Sequence, residues 1–317
     1  MITTPKKKVS IFTPCYNEEG NVRPLIGAIE AIFAKLPQYS YEHVFIDNCS
    51  TDKTPEILRE AATTNNNVKI IYNARNFGHI RSSHYGLMQC MGDAVIAMVA
   101  DFQDPPALIP RFLEKWEEGF KIVLGIKHKS KENVIMFAAR QLFYRLLAGI
   151  SGSIEAPVKN FAGFGLYDKK FLDVVRTLDD PYPYFRGMVT ELGFQSFQIQ
   201  YTQPVRFSGK TKNNFFTLYD IAMLGFVNHS KLPLRLSAFI GFISSIISFI
   251  VALGYLLYKL IFWSDFEVGM APMIIGLFFF ASVQLFFIGV IGEYIGAIHT
   301  QVRKRPLVVE RERINFD

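Results

Sequence analysis

The sequence predicts an α/β domain built on a doubly wound parallel sheet, followed by helical segments at a membrane interface and a two-helix transmembrane hairpin. Three observations carry this. Short β-branched apolar runs alternate with helix-period segments from Val9 to Ile126, the order expected of a parallel sheet. Patches rich in Asn, Asp and Glu follow the strand ends, where open α/β sheets bind ligands. Two long stretches, 236–258 and 268–292, hold no formally charged residue.

The first strand is Val9 to Thr13, stopped by Pro14. In the helix behind it, Val22, Leu25, Ile26 and Ile29 recur at helical spacing, with Asn17 and Asn21 as alternative caps. A strand at His43 to Ile46 runs into Asp47, Asn48, Cys49, Ser50, Thr51 and Asp52, and a helix over 54–63 follows. Val68 to Tyr72 is the third strand, leading through Asn73 to His79 into a helix at Arg81 to Cys90. The fourth strand, Ala94 to Ala100, ends in Asp101, Phe102, Gln103, Asp104 and two prolines. It delivers acidic and amide oxygens to the rim of the sheet.

Lys121 to Ile126 is the fifth strand, continued by the basic residues Lys127, His128, Lys129 and Lys131. Over 133–150 the sequence pattern is that of an apolar helix interrupted by Arg140 and Arg145, a pattern shared by interfacial helices and by buried helices with two surface arginines. A second such segment covers 213–229. At about 1.5 Å per helical residue, each uncharged stretch crosses the roughly 30 Å hydrocarbon core. Lys231 and Arg235 before the first span, and Arg303, Lys304 and Arg305 after the second, place both termini on the cytoplasmic side. The expected organisation is a catalytic domain over 1–212, an interfacial segment over 213–231, the two spans within 232–298, and a cytoplasmic tail over 299–317. That tail mixes charges and is expected along the membrane or a partner subunit.

Half of the 317 residues are hydrophobic, and the net charge is +6. Such a charge suits nucleic acid, anionic lipid or a phosphorylated substrate, and does not choose among them. Cys15, Cys49 and Cys90 lack CxxC spacing and read as reduced packing residues. The amino terminus has no long apolar signal-peptide stretch, so this half is expected to stay cytoplasmic. Neither GxGxxG nor GxxxxGK[ST] occurs, which argues against dinucleotide-dependent dehydrogenases and P-loop NTPases. His79 and His84 have no accompanying carboxylate or cysteine set and read as polar packing rather than zinc ligands.

Taken together, PCYNEE, DNCSTDKT, NFGH, ADFQDPP, RFSGKTK and GEYIGAIHTQVRKRP resemble glycosyltransferase family 2 enzymes with a Rossmann-like GT-A fold. More narrowly, they resemble the polyprenyl-phosphate glycosyltransferases, the bactoprenol glucosyl transferase branch beside dolichol-phosphate mannose synthase. The resemblance implies inverting transfer of a sugar, glucose from UDP-glucose by preference, to a polyprenyl phosphate at the cytoplasmic leaflet, with Mg or Mn as cofactor. Mannose or an aminosugar is the alternative donor group. The implied partners are a UDP-sugar, a lipid phosphate, the membrane and further copies of the chain, with no nucleic acid.

By the same resemblance, Pro14, Tyr16, Asn17 and Glu18 frame the nucleotide, Asp47 contacts the uracil or ribose side, and Asn76, Gly78 and Lys127 complete the nucleotide-sugar site. Asp101 and Gln103 hold the metal on the diphosphate, and Asp101, Arg206 and Lys212 are the catalytic set. Arg140, Arg206, Lys210 and Lys212 meet the acceptor phosphate, for two anionic reactants need converging cations. Asp104 is the candidate if a general base is used, although a phosphate monoester is already an anionic nucleophile at neutral pH.

The chain departs from the family pattern at Val99, where relatives often carry the first Asp of Asp-x-Asp-x-Gln. A hydrophobic side chain cannot ligate a hard cation. Asn48 stands where many relatives have a second Asp, and Lys127 where they tend to have Arg, which exchanges a bidentate fork for a point charge. Two rivals follow. A processive polysaccharide synthase would carry Gln-x-x-Arg-Trp, a context that neither Trp116 nor Trp263 has. A nucleotide-sugar-binding membrane scaffold without catalysis is the reading that Val99 keeps open.

Overall fold

The apolar run around VSIFT extends in both directions into β1 (Lys7–Cys15), whose five central residues, Val9 to Thr13, are all buried. In this computed structural model the described residues are 6–127, 158, 160–178, 180, 183–205, 207–208, 232–262 and 270–316. After β1 come α1 (Val22–Phe33), β2 (Tyr39–Asp47), α2 (Thr54–Thr64), β3 (Val68–Asn73), α3 (His79–Met88) and β4 (Ala94–Ala97). Then follow α4 (Ile109–Glu117), β5 (Ile122–Lys127), β6 (Phe161–Asp168), α5 (Lys169–Thr177), α6 (Phe185–Glu191) and β7 (Ser196–Tyr201). Two long helices, α7 (Leu232–Ile261) and α8 (Met270–Val302), precede a final strand, β8 (Glu310–Ile314).

The strands form one mixed eight-stranded sheet in the order β7-β5-β6-β4-β1-β2-β3-β8. Strands β4, β1, β2 and β3 are parallel, as the alternating pattern predicts. Beyond them the all-parallel expectation is corrected. Strand β6 lies between β4 and β5 and runs antiparallel to both, and β8 is antiparallel to β3. The glycines of FAGFGLYD hide β6 from propensity, yet the sheet requires one of them: a Cβ on Gly165 would sit 2.5 Å from the Val123 carbonyl oxygen.

Helices cover both faces. Leu25 and Ile29 of α1, Leu58 of α2, and Ile109 and Phe112 of α4 pack on one face. Leu87 of α3, Phe171 and Leu172 of α5, and Met188 of α6 pack on the other. Each strand of the parallel core is therefore buried on both sides, which explains its continuous apolar runs.

The C-terminal tail is the second correction. Instead of lying along a membrane or a partner, residues 310–314 add to the edge of the sheet, with Ile314 opposite Ile70. Alternating charges on ERERI disguised a strand, but such charges suit a sheet edge. Glu312 takes two hydrogen bonds from Arg59, of 2.8 and 2.6 Å. Asn315 donates to the carbonyls of Ala62 and Val68.

Helix α8 contains a stretch, Phe279–Val302, long and apolar enough to cross a membrane. Helix α7 carries a shorter apolar stretch, Ala238–Val251. Among the described residues Phe279–Val302 is the one stretch that meets this standard, so of the expected pair of spans one is matched; α7 has the length of a span but not an apolar stretch to match. Near its carboxyl end α8 touches the sheet domain, where Gln301 Nε2 donates to Asp180 Oδ1 at 3.1 Å.

Two buried histidines give the domain an acid sensitivity. Burial pulls His43 down to about 3 and His84 down to about 4. In the unfolded chain each takes up its proton near about 6.5. Below that pH the unfolded chain binds protons the folded one excludes, so these two residues withdraw stability as pH falls toward 4. The His84→Gln variant is expected to lose less of its thermal midpoint than wild type between about pH 7 and pH 5, and parallel losses would contradict this account.

Candidate active site

The sheet's parallel strands bring their carboxyl ends to one rim, and four loops there are bound together. Pro14 does not stop β1 but lies within it opposite Ile46; the strand closes at Cys15 opposite Asp47, and Tyr16 is half-buried just beyond. Asn17, at φ 57°, takes a left-handed turn that its short amide tolerates. Its N–H donates to Ser50 Oγ at 2.8 Å, and its Oδ1 accepts from the Thr51 N–H at 2.7 Å. The Glu18 N–H donates to Thr54 Oγ1, and the Glu18 carboxylate accepts from Asn21 Nδ2 at 2.6 Å. The loop after β1 is thus laced to the loop after β2.

Asp47 ends β2 and is fully buried. Its two oxygens accept from the Ser50 N–H at 3.3 and 3.2 Å, holding a turn in which Cys49 has φ 63°. Burial pushes this carboxyl up, opposed by the Ser50 hydrogen bonds and the charge of Arg311. Asn48 connects the next loop: its Nδ2 donates to Asn76 Oδ1 at 3.0 Å, and its Oδ1 accepts from the Phe77 N–H at 2.9 Å. Asn76 Oδ1 also accepts from the Gly78 N–H at 2.8 Å. Gly78, the residue before α3, has φ 81°, a conformation that L side chains rarely adopt.

The fourth loop carries Asp101. Strand β4 ends at Ala97, three residues earlier than the apolar run suggested, and Val99 is 38% exposed on the rim. Its N–H donates to Asp104 Oδ2 at 3.1 Å, while the Tyr201 hydroxyl donates to Asp104 Oδ1 at 3.0 Å. Asp104 is therefore a buried brace between the ends of β4 and β7. Burial raises its carboxyl to about 6, against the pull of the Val99 N–H, the Lys127 charge and the Tyr201 hydroxyl. Lys127, half-buried at the end of β5, is thereby placed beside this loop. Within it the Gln103 N–H donates to Asp101 Oδ1 at 3.1 Å across Phe102, whose φ is 61°.

Residues 207–208 of RFSGKTK cross this rim. The Phe207 N–H donates to the Asp101 carbonyl at 3.2 Å, and the Phe207 ring lies 5.6 Å from that of Phe102. Ser208 accepts from Asn21 Nδ2 through its carbonyl at 3.3 Å, and a Cβ on Gly20 would come within 2.9 Å of Ser208 Oγ. The segment thus joins the loop after β1 to the Asp101 loop. Arg206, Lys210 and Lys212 flank it in sequence but lie outside the described residues, as does Arg140.

Asp101 and Gln103 offer one carboxylate and one amide oxygen, and the described residues contain no cluster of three or more His, Cys, Asp or Glu side chains that could hold a metal. This donor set suits a hard divalent cation that draws its remaining oxygens from water and phosphates, as Mg often does. It does not suit zinc, which takes nitrogen and sulfur ligands. His84 packs against the Phe185 ring at 6.2 Å. Rim residues that sequence reasoning did not assign to the site are Asn21, Tyr201, Arg311 and Asn73, whose Nδ2 donates to Asn48 Oδ1 at 3.0 Å. Asn21 and Asn73 stood in rim patches already noted, whereas Tyr201 and Arg311 lie on strands that were not predicted.

Residues 10–175 match the model of glycosyl transferase family 2. The chain is 33% identical over 309 residues to the uncharacterized glycosyltransferase YkcC of Bacillus subtilis, covering 97% of this chain and 94% of that one. It is 31% identical over 308 residues to the bactoprenol glucosyl transferase of Shigella phage SfX, covering 96% and 99%. Among solved structures, glucosyl-3-phosphoglycerate synthase from Mycobacterium tuberculosis, in complex with Mn2+, UDP and phosphoglyceric acid, is similar at 18% identity. Its TM-score is 0.45, covering 68% of this chain and 75% of that one. Sequence likeness running almost end to end, with a family match over the sheet domain, makes this chain a glycosyltransferase of family 2.

Proposed function

We propose that this glycosyltransferase moves glucose from UDP-glucose to a polyprenyl phosphate at the cytoplasmic face of a membrane, with inversion at the anomeric carbon. The observation that carries the reading is the rim itself: the Asp101 loop, the nucleotide-side loops and residues 207–208 meet in one place, in a chain that also holds the membrane-length helix α8. The names of the bactoprenol glucosyl transferase relatives support a lipid carrier as acceptor. The two long helices form the membrane hairpin in this reading, and glycines on their surfaces, such as Gly289 and Gly296, have room for a neighbouring helix of another copy.

The rim loops after β1, β2 and β3 bind the nucleoside end of the donor. Asp101 and Gln103 would hold Mg or Mn on the diphosphate, and when bound the ion neutralises charge on the leaving group. An oxygen of the acceptor phosphate attacks the anomeric carbon, the bond from that carbon to the diphosphate oxygen breaks, and UDP departs with the electron pair. Arg206, Lys210, Lys212 and Arg140 draw the lipid phosphate toward the donor, and Lys127 adds positive charge beside the Asp101 loop. Because the acceptor oxygen carries its own negative charge, no residue needs to remove a proton from it. Asp104, with both oxygens engaged, orders the loop instead.

Purified protein given labelled UDP-glucose, undecaprenyl phosphate and Mg or Mn is expected to form a lipid-linked glucose. Product from a different nucleotide sugar alone would overturn glucose as the donor group. Tight UDP binding without transfer to any lipid phosphate would favour the scaffold reading.

A further inference from the structure

The last strand breaks step at its rim end. Ile314, Arg313 and Glu312 pair in register with Ile70, Ile71 and Tyr72, but Asn73 then pairs with Glu310, which leaves Arg311 as the extra residue of a bulge. A bulge re-aims a side chain out of the strand's alternation. Arg311 thereby comes over Tyr72, with its guanidinium 5.6 Å from the ring centroid, and Arg59 lies 5.4 Å from the same ring. The two cations differ in what they do there. Arg59 is spent on the Glu312 carboxylate through two hydrogen bonds. Arg311 is exposed, lies over the same ring, and acts on the Glu312 and Asp47 carboxylates through its charge.

Its position is the informative part. Tyr72 is the cross-strand partner of Asp47, the residue that ends β2 at the rim, and the Arg311 charge reaches the Asp47 carboxyl. We propose that Arg311 is a donor-site residue supplied by the C-terminal strand, its guanidinium donating hydrogen bonds to the carbonyl oxygens of the nucleotide's pyrimidine base. This rests on the reading that a uridine nucleotide occupies the rim with its nucleoside end near Asp47. Arginine suits the task because its planar fork of donors is always charged, and stacking on Tyr72 orders it before the ligand arrives. Residues 303–309 alone separate β8 from α8, so the chain leaving the membrane helix would complete the pocket for the soluble substrate.

Titration of the full chain with UDP tests this. The Arg311→Ala variant is expected to bind UDP about tenfold more weakly, the scale of one charge-assisted hydrogen bond. Arg311→Lys should recover part of the loss. Glu312→Gln, which loosens the strand's ion pair but keeps Arg311, should lose clearly less affinity. Unchanged affinity in Arg311→Ala would overturn the proposal, and so would an equal loss in Glu312→Gln, which would make docking of the strand the cause. Failure of the wild-type protein to bind UDP would remove the nucleotide reading itself.

Discussion

The Asp101→Asn variant is expected to turn over about 10²- to 10³-fold more slowly than wild type while keeping its fold. Asp101 is 4% exposed, so its charge is felt in a poorly solvated place. Asparagine keeps the size of the side chain and an oxygen able to accept from the Gln103 N–H, now 3.1 Å from Asp101 Oδ1. The bond from Phe207 to the carbonyl of residue 101 involves only backbone atoms and survives as well. What disappears is the negative charge that a hard cation requires. Turnover measured beside the thermal midpoint separates the two contributions: a large fall in kcat with an unchanged midpoint is the expected pair. A wild-type rate in Asp101→Asn would remove this residue from the donor site.

The Asp104→Ala variant is expected to lose roughly 3 kcal/mol of stability, because two donors are left without their acceptor. These are the Val99 N–H, part-buried, and the Tyr201 hydroxyl, buried. The brace ties the loop after β4 to the end of β7, so the Asp101 loop loosens with it and turnover falls too. Tyr201→Phe removes one of the two hydrogen bonds and should cost about 1 kcal/mol, with a smaller fall in rate. Chemical denaturation alongside kcat in both variants checks the ordering. An Asp104→Ala protein as stable as wild type would contradict the brace, and a fall in rate larger than that of Asp101→Asn would return Asp104 to the chemistry.

The parallel half of the sheet was legible because its strands are buried on both faces and read as unbroken apolar runs. So was β5, but the two strands that make the sheet mixed, β6 and β8, were not. Strand β6 needs Gly165 for a close backbone approach, which lowers its apparent strand character, and β8 presents alternating charges because it is an edge. The end of β4 was misjudged because Met98 and Ala100 are apolar and buried although the ladder has already stopped at Ala97. The residues expected at the site from strand-end residue types do share one rim, where Asn17, Asp47, Asn76, Gly78 and Asp101 gather. Their division of labour was not legible. Asn17, Asp47 and Asp104 direct much of their hydrogen-bonding capacity at the backbone of the loops, a matter of three-dimensional pairing that no spacing records. Arg311 depends on a bulge in a strand whose existence the sequence did not announce.

The Asp101 loop is expected to bind the diphosphate of a uridine nucleotide through a divalent cation. Calorimetric titration of the wild-type protein with UDP, in the presence of Mn and again after chelation, addresses it most directly. Binding that strengthens at least about tenfold with Mn, and that loses this gain in Asp101→Asn, is the expected outcome. Equal affinity with and without the ion, or a gain that persists in Asp101→Asn, would contradict it.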